Sequence, residues 1–453
     1  MPVAVIGGGI TGLAAAWHLR QSGIEGVLLE KSGRLGGCID TERYEGFIIE
    51  HGPDVFPARK PEVLALCREL GVPVQHTRRQ NRGAYIRRAG RLYRLPEGLS
   101  GLVPTQLWPL LSSNLLSLRG RLRALLDLVV PRRQDTRDES VAAFFTRRLG
   151  KEAFAGLIEP VLGGITGGDA EHLSMEALFP QLRAAEQRYG SLLLGLSCSN
   201  PPADTGTPLQ SIPGGLSTLI EVLEARLGAL VQCGSEVNRI TRKRQMWYVH
   251  RAGQEPIRAE AVIMAVPAWC AAPLVESLNA NLATELAAIP YSATVVANLA
   301  FPKPLVEHAL DGYGYLVSRQ ELSPVAACTW SSSKLADRAP TGHVLLRVFL
   351  AGVDVVHWSD EAVVEAAKGE LQLSLGILGD PSWVRLRRYP KAMPQYVLGH
   401  SDRWKRIGRH MAEHTGLYIA GPMERGIGIA DCIRSGRRAA DRAMSEPNNL
   451  MPE

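Results

Sequence analysis

Three glycines near the start of the chain have the spacing of a phosphate-binding turn. Gly7, Gly9 and Gly12 form a G-x-G-x-x-G pattern directly after the uncharged apolar run 2–6, which predicts a buried parallel strand. The first glycine permits the tight bend, the second lets the backbone approach a pyrophosphate, and the third lets the next helix pack on the strand. A helix over 13–21 follows, and its free N–H groups would face the phosphates.

An acid stands where the ribose of a bound dinucleotide needs one. A second apolar strand over 27–29 ends in Glu30, eighteen residues after Gly12, and such a carboxylate accepts hydrogen bonds from ribose hydroxyls. Arg34-Leu35-Gly36-Gly37 follows directly, and a nicotinamide site has no need of this second glycine turn. An R-x-G-G turn after the second strand is typical of flavoprotein oxidases and desaturases, so we expect FAD as the cofactor.

Composition narrows the remaining choices. The 453 residues suffice for two or three closely packed domains, and a net charge of +6 permits anionic ligands without requiring nucleic acid, which we do not expect as a partner. Seven dispersed cysteines show no CxxC and no metal-ligand spacing, so we expect a reducing cytosol and no metal site. There is no basic and apolar leader before Val3, and we expect no signal peptide.

The C-terminal elements repeat the order of strand, glycine turn and helix that is found at the N-terminus. An apolar strand over 417–421 leads to the glycine turn 426–431 and a final helix to about 444. We therefore expect an α/β protein whose nucleotide-binding domain is discontinuous. The predicted domains are FAD binding over 1–77, 208–285 and 405–453, substrate binding over 78–97 and 286–404, and a mainly helical insertion over 98–207 that covers the pocket.

Seven arginines and no acid lie between Arg78 and Arg94, with apolar pairs alternating in hairpin fashion around Ala89. One interpretation is a solvated strand face. The other is a set of guanidinium partners for substrate carboxylates, with Arg82 and Arg87 as candidates.

The helical insertion begins with a long uncharged segment, 98–118. Its prolines make it a poor membrane span, whereas its leucines and Trp108, followed by arginines, suit contact with a membrane surface. Helices that pack on themselves over a pocket are the alternative. Further on, we expect the glycine-rich stretch 159–169 to be a turn between helices.

Over nearly its whole length, the chain resembles the porphyrinogen oxidases of haem biosynthesis, within the flavin amine oxidase and phytoene desaturase superfamily. The strings that carry the resemblance are Gly7–Gly12, Glu30 with Arg34–Gly37, Glu50–Asp54, Ile165–Asp169 before Leu173-Ser174, Ser191–Gly195, Ala327–Trp330, Met393–Tyr396 before Gly399-His400, and Gly426–Ile433. This implies a Rossmann-type FAD-binding domain of the GR2-like kind, an α+β substrate domain and the helical insertion.

The resemblance implies oxygen-dependent, FAD-dependent six-electron oxidation of a porphyrinogen to a porphyrin, with release of H2O2. The A-C-T-W and M-P-Q-Y strings are most similar to bacterial coproporphyrinogen III oxidases, so coproporphyrinogen III is favoured over protoporphyrinogen IX. A flavin amine oxidase, a carotenoid-type desaturase and a flavin-binding protein without activity are the alternatives on this fold. Ala420-Gly421 is followed by Pro422, whereas an amine oxidase usually has A-G-E there.

The resemblance also implies site residues. The implied cofactor-binding residues are Gly7, Gly8, Gly9, Ile10, Thr11, Gly12, Glu30, Lys31, Arg34, Gly36, Gly37, Gly52, Pro53, Asp54, Val55, Val237, Gly421, Ile427, Gly428 and Ile429. Besides the two arginines, the expected substrate residues are Gly164, Ile165, Thr166, Gly167, Leu316 and Leu335.

We expect no catalytic side chain, because the cofactor performs the chemistry. We interpret His51 and His400 as structural hydrogen-bonding groups. The implied partners are the porphyrinogen, O2, a membrane surface touched from the cytoplasmic side, and a ferrochelatase that receives the product. The sequence leaves the oligomeric state open.

Overall fold

The computed structural model describes residues 2–81, 83–96, 99–100, 103–104, 114–135, 137–198 and 209–445. The strands of these residues are β1 Val3–Ile6, β2 Gly26–Leu29, β3 Thr41–Tyr44, β4 Phe47–Glu50, β5 Phe56–Pro57, β6 Gln75–His76, β7 Tyr85–Arg88, β8 Arg91–Arg94, β9 Leu99–Ser100, β10 Val103–Pro104, β11 Leu209–Ser211, β12 Val231–Gln232, β13 Val237–Lys243, β14 Met246–Arg251, β15 Gln254–Ala259, β16 Ala261–Met264, β17 Thr294–Pro302, β18 Gly314–Val317, β19 Val325–Trp330, β20 His343–Ala351, β21 Trp383–Tyr389 and β22 Leu417–Ile419.

The α-helices of the same residues are α1 Ile10–Gln21, α2 Pro61–Leu70, α3 Leu118–Leu125, α4 Val141–Leu149, α5 Lys151–Ala153, α6 Glu159–Thr166, α7 Met175–Leu178, α8 Pro180–Tyr189, α9 Leu192–Cys198, α10 Ser217–Leu227, α11 Ala268–Val275, α12 Ala280–Ala287, α13 Ser331–Lys334, α14 Asp360–Leu375, α15 His400–Ala412 and α16 Ile429–Ser445. A π-helical segment, Phe154–Ile158, joins α5 to α6. None of the described helices is long and apolar enough to cross a membrane.

A five-stranded parallel sheet, in the order β12-β2-β1-β16-β22, draws its strands from both ends and the middle of the chain. Every residue of β1 and β16 is buried, as expected for central parallel strands covered on both faces. Helices α1 and α16 pack closely on one another. A Cβ atom at Gly436 would lie 2.2 Å from the carbonyl oxygen of Thr11, so only glycine fits there. This arrangement confirms the α/β prediction.

A seven-stranded mixed sheet, in the order β21-β17-β20-β19-β18-β7-β8, forms the second layer. On its outer face, alternate apolar residues of β17, β19 and β20 pack against α14 in one core. Strands β7 and β8 form the predicted hairpin around Ala89-Gly90, and β7 joins this sheet in parallel with β18. The inner face of the sheet, which carries Asn298, Leu316 and Arg347, is turned towards β4, the segment after β4 and the helical region.

Residues 114–198 are mainly helical and have a core of their own. Arg148 is fully buried in it, and its Nε atom donates to Asp127 Oδ1 at 2.5 Å. The expectation of a turn between helices over 159–169 is wrong, because α6 runs through Gly163 and Gly164 to Thr166 before Gly167 ends it in the left-handed region (φ 61°). Trp108 and most of the uncharged segment lie outside the described residues.

Candidate functional site

The turn between β1 and α1 has the shape that a dinucleotide pyrophosphate requires. Gly7 has φ 108°, and a Cβ atom at Gly12 would lie 2.0 Å from the carbonyl oxygen of Gly7, so helix and strand approach as the spacing predicts. Gly9 precedes the helix, and no atom lies within 4 Å of the position that its Cβ atom would take. Helix α1 has no side-chain hydrogen bond at its N-cap residue, Gly9, and its first turn contains no acidic residue. The open space therefore suits an anion.

Glu30 lies beside this turn, at the end of β2. Its carboxylate accepts hydrogen bonds from the amide of Gly8 at 2.6 Å and from the amide and hydroxyl of Ser32, both at 2.8 Å. The exposed side chain of Lys31 pairs with Glu236 at 2.6 Å. Val237, at the start of β13, is half-buried beside this sheet.

The R-x-G-G turn lies against the first glycine turn. The amide of Gly36 donates to the carbonyl of Gly8 at 2.8 Å, and Arg34 donates to the carbonyl of Gly37 at 2.7 Å. Gly52 is close by, because a Cβ atom there would lie only 1.7 Å from the carbonyl oxygen of Cys38. The first glycine turn, the R-x-G-G turn and the segment at Gly52 thus form one continuous backbone surface.

The C-terminal glycine turn is held by charges that the sequence interpretation did not assign. Asp431, in the first turn of α16, accepts from Lys60 Nζ at 2.5 Å and from Arg434. A Cβ atom at Gly426 would lie 2.5 Å from Cγ of Asp431, so the acid requires that glycine. Asp431 thereby fixes the turn that carries Ile427, Gly428 and Ile429. Its place in the G-x-G-x-x-D string was the available signal.

Gly421 follows β22 with φ 131°, and its amide donates to Ser435 Oγ on α16 at 2.9 Å. The next carbonyl, that of Pro422, accepts from the hydroxyl of Tyr396, a residue of the M-P-Q-Y string. The M-P-Q-Y string therefore contacts the segment that follows β22.

The side chain of Asp54, an expected cofactor-binding residue, takes part in a buried ion pair. Its carboxylate is buried and lies 2.8 Å from Lys334 Nζ and 3.7 Å from Arg347 Nη2. Burial alone would raise the pKa of Asp54, but these two cations hold it well below its usual range. At Asp54, the backbone is therefore what remains for a cofactor.

Helix α6, which carries Gly164, Ile165 and Thr166, packs on β18, which carries Leu316. A Cβ atom at Gly164 would lie 2.3 Å from Cδ2 of Leu316, so the helix approaches the inner face of the sheet through a glycine. Thr166 caps the turn by accepting from the amide of Gly168 at 3.1 Å, and Gly167 lies against Ser292. Leu335 is fully buried beside Lys334, and the backbone of Ile165 belongs to α6.

Arg319 and Gln395 fasten this turn, and neither was among the predicted residues. The Nη2 atom of Arg319 donates to the carbonyl of Gly168 at 2.9 Å. Gln395 Nε2 donates to the carbonyl of Thr166 at 3.0 Å. Gln395 belongs to a quoted string, whereas no local pattern marked Arg319.

The structure corrects the expectation that Arg87 binds a substrate carboxylate. Its guanidinium lies on the outer face of the sheet, 2.9 Å from Glu321 and 2.8 Å from Glu370, and only 3% of the residue is exposed. Neighbouring residues of a strand point to opposite faces, so Ile86, not Arg87, faces the helical region with Leu316. Two carboxylates already neutralise Arg87, which rules it out as a propionate ligand at the pocket rim. Arg82 lies outside the described residues.

The two histidines have structural surroundings, as interpreted. His51 Nε2 is 3.0 Å from Glu42 Oε2, and His400 Nε2 is 3.2 Å from the carbonyl of Glu424. Burial lowers the pKa of His400, which favours the neutral imidazole. Among the described residues, no group of histidine, cysteine and acidic side chains could hold a metal ion.

These features fit FAD: an open glycine turn at a helix N-terminus, a carboxylate beside it, a second glycine turn and a third one near the C-terminus. The chain matches the flavin containing amine oxidoreductase model over residues 10–444. It is 33% identical to coproporphyrinogen III oxidase of Bacillus subtilis over 467 residues, 98% of each chain, and 31% identical to human protoporphyrinogen oxidase over 490 residues, 99% of each chain.

A crystal structure of an assigned protoporphyrinogen oxidase from Exiguobacterium sp. 255-15 superimposes with a TM-score of 0.84 at 29% identity, covering 97% of this chain and 98% of that one. The family, the cofactor and the fold thus agree with the geometry of the site. The chain belongs to the flavin containing amine oxidoreductase family and is an FAD-dependent oxidoreductase.

Proposed function

We propose that this protein oxidises a porphyrinogen to the corresponding porphyrin in haem biosynthesis, with coproporphyrinogen III as the favoured substrate and protoporphyrinogen IX close behind. The observation that carries the proposal is the similarity to the coproporphyrinogen III oxidase of B. subtilis over 98% of both chains. The similarity to the human protoporphyrinogen oxidase keeps the second substrate in view.

The chemistry asks little of ionisable side chains. When bound, FAD supplies the oxidation, in three rounds of two electrons that pass to O2 and leave as H2O2. The chain must hold the tetrapyrrole against the cofactor and keep water away. The contact of Gly164 with Leu316 supports this role, because it places helix α6 against an apolar side chain of the inner face of the sheet.

Substrate orientation requires cations for the propionate groups. Coproporphyrinogen III carries four propionates and protoporphyrinogen IX carries two, so a rim rich in free cations would favour the former. Since Arg87 is neutralised on the outer face, Arg82 remains the proposed propionate ligand from the arginine run.

The test of the function is porphyrin fluorescence from purified, FAD-loaded protein in air. Coproporphyrinogen III and protoporphyrinogen IX are offered separately, beside samples without enzyme that measure autoxidation. We expect both to be oxidised above the control, with coproporphyrinogen III the faster. A yellow protein that accelerates neither would overturn the proposal and favour an amine or polyene substrate.

We extend the proposal to a cytoplasmic protein that contacts the inner membrane surface through α3 and the turn after it. Leu118, Leu122, Leu126 and Val129 recur at helical spacing and are at least half exposed, and Arg119 beside them is exposed. Such a face suits an anionic lipid surface. Co-sedimentation with phosphatidylglycerol vesicles should be lost in Leu118→Glu/Leu122→Glu, and unchanged co-sedimentation would contradict this part. Hand-over of the porphyrin to a ferrochelatase is supported by the family resemblance alone.

A further inference from the structure

Five charged side chains are buried together between β4 and the inner face of the seven-stranded sheet. We call them the buried charge cluster; each is at most 7% exposed, and they are Glu50, Asp54, Lys334, Arg338 and Arg347. The two carboxylates lie on the cofactor side: Glu50 is the last residue of β4, and Asp54 is in the segment after it. The three cations come from α13, the loop after it and β20, which belong to the sheet on the other side.

Ionic contacts in the cluster cross between these two parts. Lys334 Nζ is 2.8 Å from Asp54 Oδ2, Arg347 Nη2 is 3.7 Å from Asp54 Oδ1, and Arg338 Nη2 is 3.9 Å from Glu50 Oε1. Only the pair of Lys334 with Asp54 is at hydrogen-bonding distance. The two guanidinium groups also donate to uncharged acceptors. Arg338 Nη2 donates to Ser211 Oγ at 3.0 Å and to the carbonyl of Ile212 at 3.4 Å. Arg347 Nη1 donates to the carbonyl of Glu50 at 3.4 Å.

The charges of the cluster do not cancel. Three cations face two carboxylates. The carboxylate of Glu50 also accepts hydrogen bonds from the hydroxyl of Thr41 at 2.7 Å and from the amide of Leu216 at 2.8 Å. Among the described residues, Nε and Nη1 of Arg338 and Nε of Arg347 have no hydrogen-bond partner. Asp337 next to them is exposed, where solvent screens its charge. A positive charge therefore remains where screening is weak.

The cluster adjoins expected site residues along the chain. Asp54 stands two residues after Gly52, which packs against the carbonyl of Cys38 in the second glycine turn. Lys334 immediately precedes Leu335, an expected substrate residue. The cluster is therefore linked along the chain to an expected cofactor-binding segment and to an expected substrate residue.

We propose that the buried charge cluster supplies the FAD site with an excess of positive charge that stabilises the reduced, negatively charged cofactor and so raises its reduction potential. The proposal rests on the FAD site described above. Lys334 and Asp54 are positioning and electrostatic residues here, with opposite effects. A purely structural pair would instead show the same effect from either side, since losing either partner leaves one unpaired buried charge.

The test uses FAD-loaded protein and two readouts that need no substrate. One is the midpoint potential, from reductive titration against a reference dye. The other is the dissociation constant of sulfite, which forms a negatively charged adduct with oxidised flavin and is followed by loss of the visible absorbance. We expect Lys334→Met to weaken sulfite binding about tenfold and lower the potential by about 30 mV, the two-electron equivalent. Asp54→Asn should change both in the opposite direction by a similar amount.

Two controls complete the design. The double variant Asp54→Asn/Lys334→Met removes one charge of each sign and should return close to the wild type. Lys368→Met removes a surface cation that pairs with Glu365 and Asp380, and should change nothing. If Lys334→Met loses FAD, Arg347→Met replaces it and should act like Lys334→Met.

Shifts of the same sign in both single variants, no shift in either, or a double variant that behaves like Lys334→Met would overturn the proposal. Failure of the proposed function is distinguishable from these outcomes. A wild-type protein that binds FAD and shows the expected pattern of potentials, yet oxidises no porphyrinogen, would refute the function and leave the electrostatic role standing.

Discussion

The amide of Gly8 donates to the carboxylate of Glu30 over 2.6 Å, so the acid at the end of β2 is fixed beside the glycine turn by the turn itself. The same carboxylate is held by Ser32 on its other oxygen. A side chain that is already oriented loses little freedom when a ribose binds, which favours affinity. The dinucleotide site is thus organised by the folded chain.

Two glycines of this turn should fail in different ways. In Gly12→Ala, the new Cβ atom meets a backbone oxygen at 2.0 Å, so we expect loss of folded stability together with FAD. In Gly9→Ala, the methyl group enters open space, so the apoprotein should melt as the wild type does while FAD binds about tenfold more weakly, about 1.4 kcal/mol. Thermal unfolding of the apoprotein and FAD titration separate the two. Equal losses of apoprotein stability would contradict this account.

Gly164→Ala tests the contact between α6 and the sheet. The added methyl group would lie 2.3 Å from Cδ2 of Leu316, so this flexible side chain must turn away. Because Gly164 is exposed and Leu316 is half-buried, we expect a loss of about 1 kcal/mol of unfolding free energy, the lower end for overpacking. We expect a higher KM as well, because Leu316 moves. Gly163→Ala is the matched control, since its nearest neighbour is an oxygen of Glu159 at 3.8 Å.

The double variant Gly164→Ala/Leu316→Ala checks the cause, because the shorter side chain makes room for the methyl group. If the steric contact is responsible, the second substitution should cost less in the Gly164→Ala background than in the wild type. Strict additivity of the two unfolding free energies would refute it.

Arg319→Ala should loosen the turn that ends α6. Its guanidinium joins Glu159 at 3.0 Å and Asp169 at 3.1 Å, and half of it is exposed, so each ion pair contributes at most about 1 kcal/mol. We expect KM for the porphyrinogen to rise about fivefold with kcat nearly unchanged. Arg388→Ala, which breaks a pair with Asp360 on the outer face, is the control. An unchanged KM in Arg319→Ala would show that the turn does not border the substrate.

Arg87→Met should destabilise the protein without touching the substrate. Removing the guanidinium leaves Glu321 and Glu370 without their partner, which costs about 3–5 kcal/mol for a buried pair. Thermal unfolding reports this loss. Steady-state kinetics at a temperature where the variant is folded should give the wild-type KM. A large rise in KM would restore Arg87 as a propionate ligand.

The sequence predicted the elements whose conformation depends on neighbouring residues. The final helix, expected after the glycine turn 426–431 and up to about residue 444, is α16, Ile429–Ser445. The glycine turn after β1 and the hairpin around Ala89-Gly90 were readable for the same reason, because each depends on neighbouring residues.

Long-range partners were not readable. Arg87 pairs with Glu321 and Glu370, 234 and 283 residues away, so no pattern near the arginine run indicated that it was already neutralised. Asp54 meets Lys334 across 280 residues. Helix α6 was mistaken for a turn because its glycines serve a close approach to Leu316, and that need appears only in the tertiary structure.

The most direct test of the central claim is the ratio of H2O2 released to porphyrin formed, with FAD-loaded protein, coproporphyrinogen III and air, corrected for autoxidation. Six-electron oxidation in three two-electron rounds predicts a ratio of about three to one, reached only with bound FAD. Porphyrin formation no faster than in the enzyme-free control, or enzyme-dependent porphyrin without peroxide, would contradict the account.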